Sequence, residues 1–123
     1  MARLEELTAT PFLPTSTAVV TNAAISVVRA APARQSRWAF KMVRLTYYGA
    51  APAVAPTLTI SGGGLAQPII IVGTTTGTTG GAELRIPDTA LLLAEATSYQ
   101  IDVPALGAGC IATVLLLDRV VAS

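Results

Sequence analysis

Histidine is absent from the 123 residues, cysteine occurs once, and only 12% of positions carry charge. Each scarcity removes a class of chemistry. Without histidine the chain lacks the side chain that most often serves as general base and metal ligand near neutral pH. Neither a Ser-His-Asp triad nor a Cys/His nucleophile pair can be assembled from it. Cys110, the single cysteine, can form neither an intrachain disulfide nor a multi-thiolate zinc site. Within "GCIATVLLL" it reads as a small buried hydrophobe. The seven carboxylates, Glu5, Glu6, Glu83, Asp88, Glu95, Asp102 and Asp118, show no calcium-loop spacing. Two-carboxylate glycoside hydrolysis is the one catalytic arrangement they leave conceivable. Asp102 on a polar strand face and Asp118 beside Arg119 read instead as surface charge. The expectation is a protein without catalytic, cofactor-binding or metal residues.

The formal net charge of +1 gives no whole-molecule attraction to nucleic acid. Five of the eight basic residues nevertheless fall together, Arg29, Arg34, Arg37, Lys41 and Arg44, with no acid between them. Such a run is a solvated face or a patch that docks on an acidic protein surface. Arg37-Trp38, Phe40-Lys41 and Arg44 with Tyr47 and Tyr48 superficially resemble a stacking platform for single strands. Strand alternation sends Trp38 and Phe40 to the face opposite Arg37 and Lys41, so the rings belong to the core and no nucleic-acid partner is expected. The start "MARLEEL" lacks the apolar stretch of a signal peptide. "VPALGAGCIATVLLL" is too short and too broken by Gly and Pro to cross a bilayer, which needs about 20 residues. No membrane partner is expected, and the chain reads as soluble and not secreted by a visible route.

What the sequence has in plenty is apolar residues, 52% of the chain. A single domain of this length cannot hide them all, so part of its surface is expected to lie against other chains, as in a homodimer or homotrimer. Residues 1–16 read as an N-terminal arm: "ARLEELTA" allows a helical turn or two before the prolines of "PFLPTS" break it. Leu7, Phe12 and Leu13 are its apolar anchors. With Arg34, Arg37, Lys41 and Arg44 they are the candidate contacts to a partner. Residues 17–123 read as one β domain. "TAVVTNAAISVVR" is one strand, or two joined near Asn22. "RWAFKMVRLTYY" alternates until Met42, where the phase slips; a β-bulge or burial on both faces would account for it. Leu58 and Ile60, then Leu84 and Ile86, then Tyr99, Ile101 and Val103 point inward. "PDTALLLAEA" is either a helical turn capped by Asp88 or extended. "CIATVLLLDRVV" closes the chain as a strand too apolar for a wet face. "GTTTGTTGG" at 73–81 lacks the lysine of a phosphate-binding loop and no helix follows, so it is a strand connection. About eight short strands predict an all-β fold with an extended arm, a β-sandwich or barrel, and the proline-bearing connections favour Greek-key crossing over a simple meander.

The stretch from Trp38 to Val121 resembles small virion proteins of tailed bacteriophages, in particular capsid decoration ("cement") proteins. The resemblance lies in "RWAFKMVRLTYYGAAPAVAPTLTI" and in "IPDTALLLAEATSYQIDVPALGAG". It implies a jelly-roll-like β-sandwich of about eight short strands with an extended N-terminal arm, assembled in the host cytoplasm and bound as a dimer or trimer to the major capsid protein on the outside of a phage head, bridging capsomers against internal pressure. The same pattern suits a tail or fibre component. A carbohydrate-binding module of a virion is the alternative from another class, and it would need exposed aromatics from among Tyr47, Tyr48 and Tyr99.

Overall fold

A computed structural model describes residues 12–122. They form ten strands and no helix: β1 (Leu13–Ser16), β2 (Val20–Thr21), β3 (Ile25–Arg29), β4 (Ser36–Tyr48), β5 (Thr57–Gly62), β6 (Ile69–Val72), β7 (Thr79–Arg85), β8 (Leu91–Leu92), β9 (Tyr99–Val103) and β10 (Ile111–Ala122). Two antiparallel sheets pack face to face. In the larger, β1 and β2 share one edge of β10, β10 pairs β4, and β7 and β8 share the far side of β4. The smaller has the order β3-β9-β5-β6.

With each broken edge counted as one position, each sheet has four places. The pairs then nest and alternate between sheets: β1/β2 with β10, β3 with β9, β4 with β7/β8, β5 with β6. That winding is a jelly roll, the sandwich rather than the barrel of the two all-β forms read from the strand pattern. The breaks explain why ten strands appear where about eight are read. "TAVVTNAAISVVR" divides at Asn22, whose φ of 49° turns the chain from β2 in one sheet to β3 in the other. Asp88 caps no helix; it too has positive φ, and the leucine run after it is extended as β8.

Between the sheets lies a core of Phe40, Val43, Leu45 and Tyr47 from β4, Leu58 and Ile60 from β5, Tyr99, Ile101 and Val103 from β9, and Val114 and Leu116 from β10. The inward assignments at Leu58, Ile60, Tyr99, Ile101 and Val103 hold, and Cys110 is buried as a small hydrophobe. The phase slip in β4 has both of its possible causes. Leu117 pairs Met42 but Asp118 pairs Phe40, so Lys41 is the extra residue of a β-bulge. Next to it, Met42 on the outer face and Val43 on the inner face are both buried.

The glycine-threonine stretch carries the chain from β6 in one sheet to β7 in the other. Its two ends nearly touch: a Cβ on Gly73 would stand 2.6 Å from the Gly81 carbonyl oxygen. The Tyr47 hydroxyl reaches the Thr74 and Thr76 carbonyl oxygens at 3.3 and 3.4 Å, fixing the connection to the core.

Candidate functional site

Strand phase carries a charge into the sandwich. In β10 the inward series is Ala112, Val114, Leu116 and then Asp118, which is only 4% exposed. In β3 the inward series Ile25, Val27 ends in Arg29. The two meet between the sheets. Arg29 Nε donates to Asp118 Oδ2 at 2.8 Å and Nη2 to Oδ1 at 3.1 Å, a bidentate pair. Arg29 Nη2 also donates to Thr15 Oγ1 on β1 at 2.9 Å. The Tyr99 hydroxyl donates to Asp118 Oδ2 from β9. One carboxylate therefore ties β10 to β3 and β9 across the core, with β1 held through Arg29.

The electrostatics follow from burial. Burial opposes the charge of Arg29, but the hydrogen bond and attraction from Asp118 outweigh it and raise its pKa. Burial, reinforced by the hydrogen bond to Asp118, pushes the Tyr99 phenol far above its ordinary value. The expectation of a surface charge at Asp118 is thus corrected. Its neighbour Arg119 does face outward, but unbroken alternation turns Asp118 in. Reading β10 as apolar on both sides hides that phase.

The cluster floors a cleft of about 450 Å³ between the sheets, lined by Leu13, Thr15, Arg29, Trp38, Asp118, Arg119 and Val120. Trp38 faces inward as alternation requires, yet it stands at the end of the sandwich and is half-buried. Its ring meets Tyr99 edge-on at 5.9 Å, the Arg29 guanidinium lies 5.5 Å from its centroid, and Nε1 donates to the Ala30 carbonyl at 2.9 Å. Leu13, 66% exposed, and Val120, 47% exposed, form the rim.

The outer face of the larger sheet is the second feature. Register places Arg37, Ala39, Met42 and Arg44 of β4, Leu115, Leu117 and Arg119 of β10, Glu83 and Arg85 of β7, and Leu92 of β8 on it. It thus carries four arginines and one carboxylate around apolar residues. Arg44 Nε donates to Glu83 Oε2 at 2.6 Å, and Arg85 Nε lies 3.4 Å from Glu83 Oε1. The hydrogen bond from Arg44 holds the Glu83 carboxyl below its usual range. Arg44 and Arg85 also lean over the buried Met42, their Nη2 atoms 3.8 and 3.5 Å from its sulfur. Arg119 lies under the Phe12 ring at 4.6 Å. By contrast, the outer face of the smaller sheet has Asp102 as its one charged residue among those described, accepting from Ser26 and Gln100.

The residues singled out in the sequence are therefore dispersed. Leu7 lies outside the described residues. Phe12, Arg37 and Arg44 share the outer face of the larger sheet, whereas Leu13 sits at the cleft. Lys41, at the bulge, donates from Nζ to the Ile86 and Thr89 carbonyls at 2.6 and 2.7 Å. Arg34 is exposed in the β3–β4 connection. Arg29, from the same basic run, points inward. Hence the run does not make one patch; Arg85 and Arg119, far away in sequence, complete the arginine face. The end of the arm, Leu13–Ser16, pairs with β10 of its own chain. Of the tyrosines considered for carbohydrate stacking, Tyr47 and Tyr99 are buried, and only Tyr48 is exposed.

Among the described residues no cluster of His, Cys, Asp and Glu could hold a metal ion, and no helix is long and apolar enough to cross a membrane. No protein-family model matches the chain, and no curated protein matches it. Among solved structures, it is similar to the tryptic core of a Cry1Da variant from Bacillus thuringiensis, at 10% identity and a TM-score of 0.38. That alignment covers 77% of this chain and 17% of the other.

Proposed function

We propose that the chain is a structural, non-catalytic virion protein that binds the outer capsid surface and bridges capsomers, docking through the outer face of its larger sheet. The observation that carries this reading is the contrast between the two outer faces. One gathers four arginines around an apolar centre; the other mixes Ser, Thr and Gln with the exposed Val28, Ile70 and Val72 and is nearly uncharged. A face of that kind suits a protein surface with carboxylates around an apolar patch, because attraction between opposite charges fixes register while apolar contact supplies affinity. The strand and turn pattern from Trp38 to Val121 that resembles decoration proteins supports the same conclusion.

The experiment is co-sedimentation with phage heads stripped of decoration protein. The full chain should bind saturably and raise the temperature at which the heads rupture. Arg44→Glu with Arg85→Glu should weaken binding at least tenfold with the thermal melt of the free protein little changed. Full binding by that double variant would remove the face from the interface. No binding by the full chain would reject the capsid reading.

A further inference from the structure

Every sheet edge offers backbone donors and acceptors to a further strand, and folded proteins blunt their edges against such pairing. The other edges here are blunted in recognisable ways. β2 and β8 are two residues long, β1 contains Pro14, β7 carries Glu83 and Arg85, and β3 ends in the inward-pointing Arg29. β6 has none of these features. It reads Ile-Ile-Ile-Val, with Pro68 just before the strand and not within it. No charged residue occurs anywhere between Arg44 and Glu83. Its one strand neighbour is β5.

The ladder to β5 fixes which groups of β6 stay free. Gly73 N–H donates to the Pro56 carbonyl at 2.8 Å, continuing the register that pairs Val72 with Thr57 and Ile71 with Leu58. In an antiparallel pair the bonded positions alternate. Ile69 and Ile71 therefore bond toward β5, while Ile70 and Val72 aim their N–H and C=O groups at the open side, where no described backbone group meets them. The same two residues carry the exposed side chains of the strand, whereas Ile69 and Ile71 pack on the core. Two open positions two residues apart are self-complementary under a two-fold axis through Ile71. Ile70 then faces the partner's Val72, and Val72 the partner's Ile70, so that both donors and both acceptors of each chain are used. Apolar side chains meet on both faces of the pair, and no like charges are brought together. We infer that β6 is a dimerisation edge: two copies of this chain pair β6 antiparallel and join their smaller sheets into one continuous sheet. This interface is separate from the arginine face and independent of the capsid reading.

The test uses the full chain and needs no phage head. Sedimentation over a concentration series should show monomer passing to dimer and no larger species. Amide exchange at Ile70 and Val72 should be fast in dilute solution and slow in concentrated solution. Ile71, bonded to β5, should be protected in both. Ile70→Pro removes an outward N–H and no bond to β5, a change that an edge strand tolerates, and it should weaken dimerisation at least tenfold. Val72→Lys should do the same by placing a charge on the edge. Val28→Lys, on the far edge strand of the same sheet, should leave dimerisation unchanged. Melting in dilute solution, where the natural chain is a monomer, checks the fold of each variant. The inference is overturned by a monomer throughout, by a trimer, or by a dimer whose Ile70 and Val72 amides exchange as fast as in the monomer. Undiminished pairing of a folded Ile70→Pro or Val72→Lys variant would overturn it too, and loss of the dimer in Val28→Lys alone would move the interface to β3.

Discussion

At the scale of single residues, Asp118 matters most. A buried ion pair is not a simple stabiliser: removing both ions from water offsets most of their attraction, whereas removing one partner strands the other. Asp118→Ala should therefore lower stability by about 3–5 kcal/mol in urea melts, because Arg29 and Tyr99 lose their shared acceptor. The double variant Arg29→Met with Asp118→Leu should lose less than Asp118→Ala alone; an additive loss would show that the pair is not coupled. Tyr99 sets the response to alkali. Below its unfolded value of 10.0 both states keep the phenol proton. Above it the unfolded chain releases the proton while the folded chain, whose pKa is raised, retains it, so stability falls as pH rises. Melts across pH 9–11, roughly the window around that value, should show this slope in the natural protein and a shallower one in Tyr99→Phe. The cluster was within reach of sequence reasoning, since Arg29 is two residues beyond Val27 and Asp118 two beyond Leu116. What hides it is the apolar content of both faces of β10: without a polar side to mark the phase, Arg119 is as good a candidate for the interior as Asp118.

At the scale of elements, glycine placement and the bulge set the register of β4. Gly81 is extended, so its value lies in proximity: a Cβ there would stand 1.8 Å from the Leu45 carbonyl oxygen. Gly77 has a φ of 86°, but a Cβ there would stand 3.8 Å from the Thr79 carbonyl oxygen, so it meets strain without a clash. Gly77→Ala should cost about 1–2 kcal/mol, and Gly81→Ala more, with loss of amide-exchange protection along the β4–β7 ladder. Equal costs would mean that the strand pair yields easily. The inward faces of β5 and β9 were legible because polar and apolar residues alternate there without a break. The phase slip in β4 was legible too, but both of its physical causes act together, and an outer residue such as Met42 is covered by arginines that only the register brings near. Arg85 and Arg119 were missed as members of the arginine face because they reach it through strand pairing from distant parts of the chain. The basic run, conversely, looked contiguous because sequence distance ignores that β3 and β4 lie in different sheets.

At the scale of the whole molecule, apolar side chains remain on the surface of several strands. Val28 is 62% exposed, Ile70 56%, Val72 62% and Leu92 55%, on β3, β6 and β8. Such exposure, with sparse charge, favours association, and sedimentation at micromolar concentration should show a dimer or trimer. A clean monomer over that range would place these residues among the ordinary apolar surface of a soluble domain. Deletion of residues 1–11 should leave the described sandwich folded, because β1 and its pairing with β10 stay intact. Deletion of residues 1–16 should lower the melting temperature further, since it also removes the Thr15 acceptor of Arg29 and bares an edge of β10. Equal melting temperatures for the two truncations would show that β1 adds nothing to the fold.

β10 is the last strand of the described chain and yet lies inside its sheet, between β1/β2 and β4. A ribosome making this protein therefore releases both flanks of the sheet before the strand that joins them. Until then β4 shows an unpaired edge and Arg29 has no carboxylate to meet, so early segments cannot reach their final arrangement in order of synthesis. The pairings of β10 with β1, β2 and β4 must form after β10 emerges, over long sequence separations that slow the search, whereas the smaller sheet and the β4–β7 pair need nothing from it. The price of so central a late strand is a nascent chain whose β4 edge stays adhesive until β10 is made, which makes low growth temperature the condition that should raise its soluble yield.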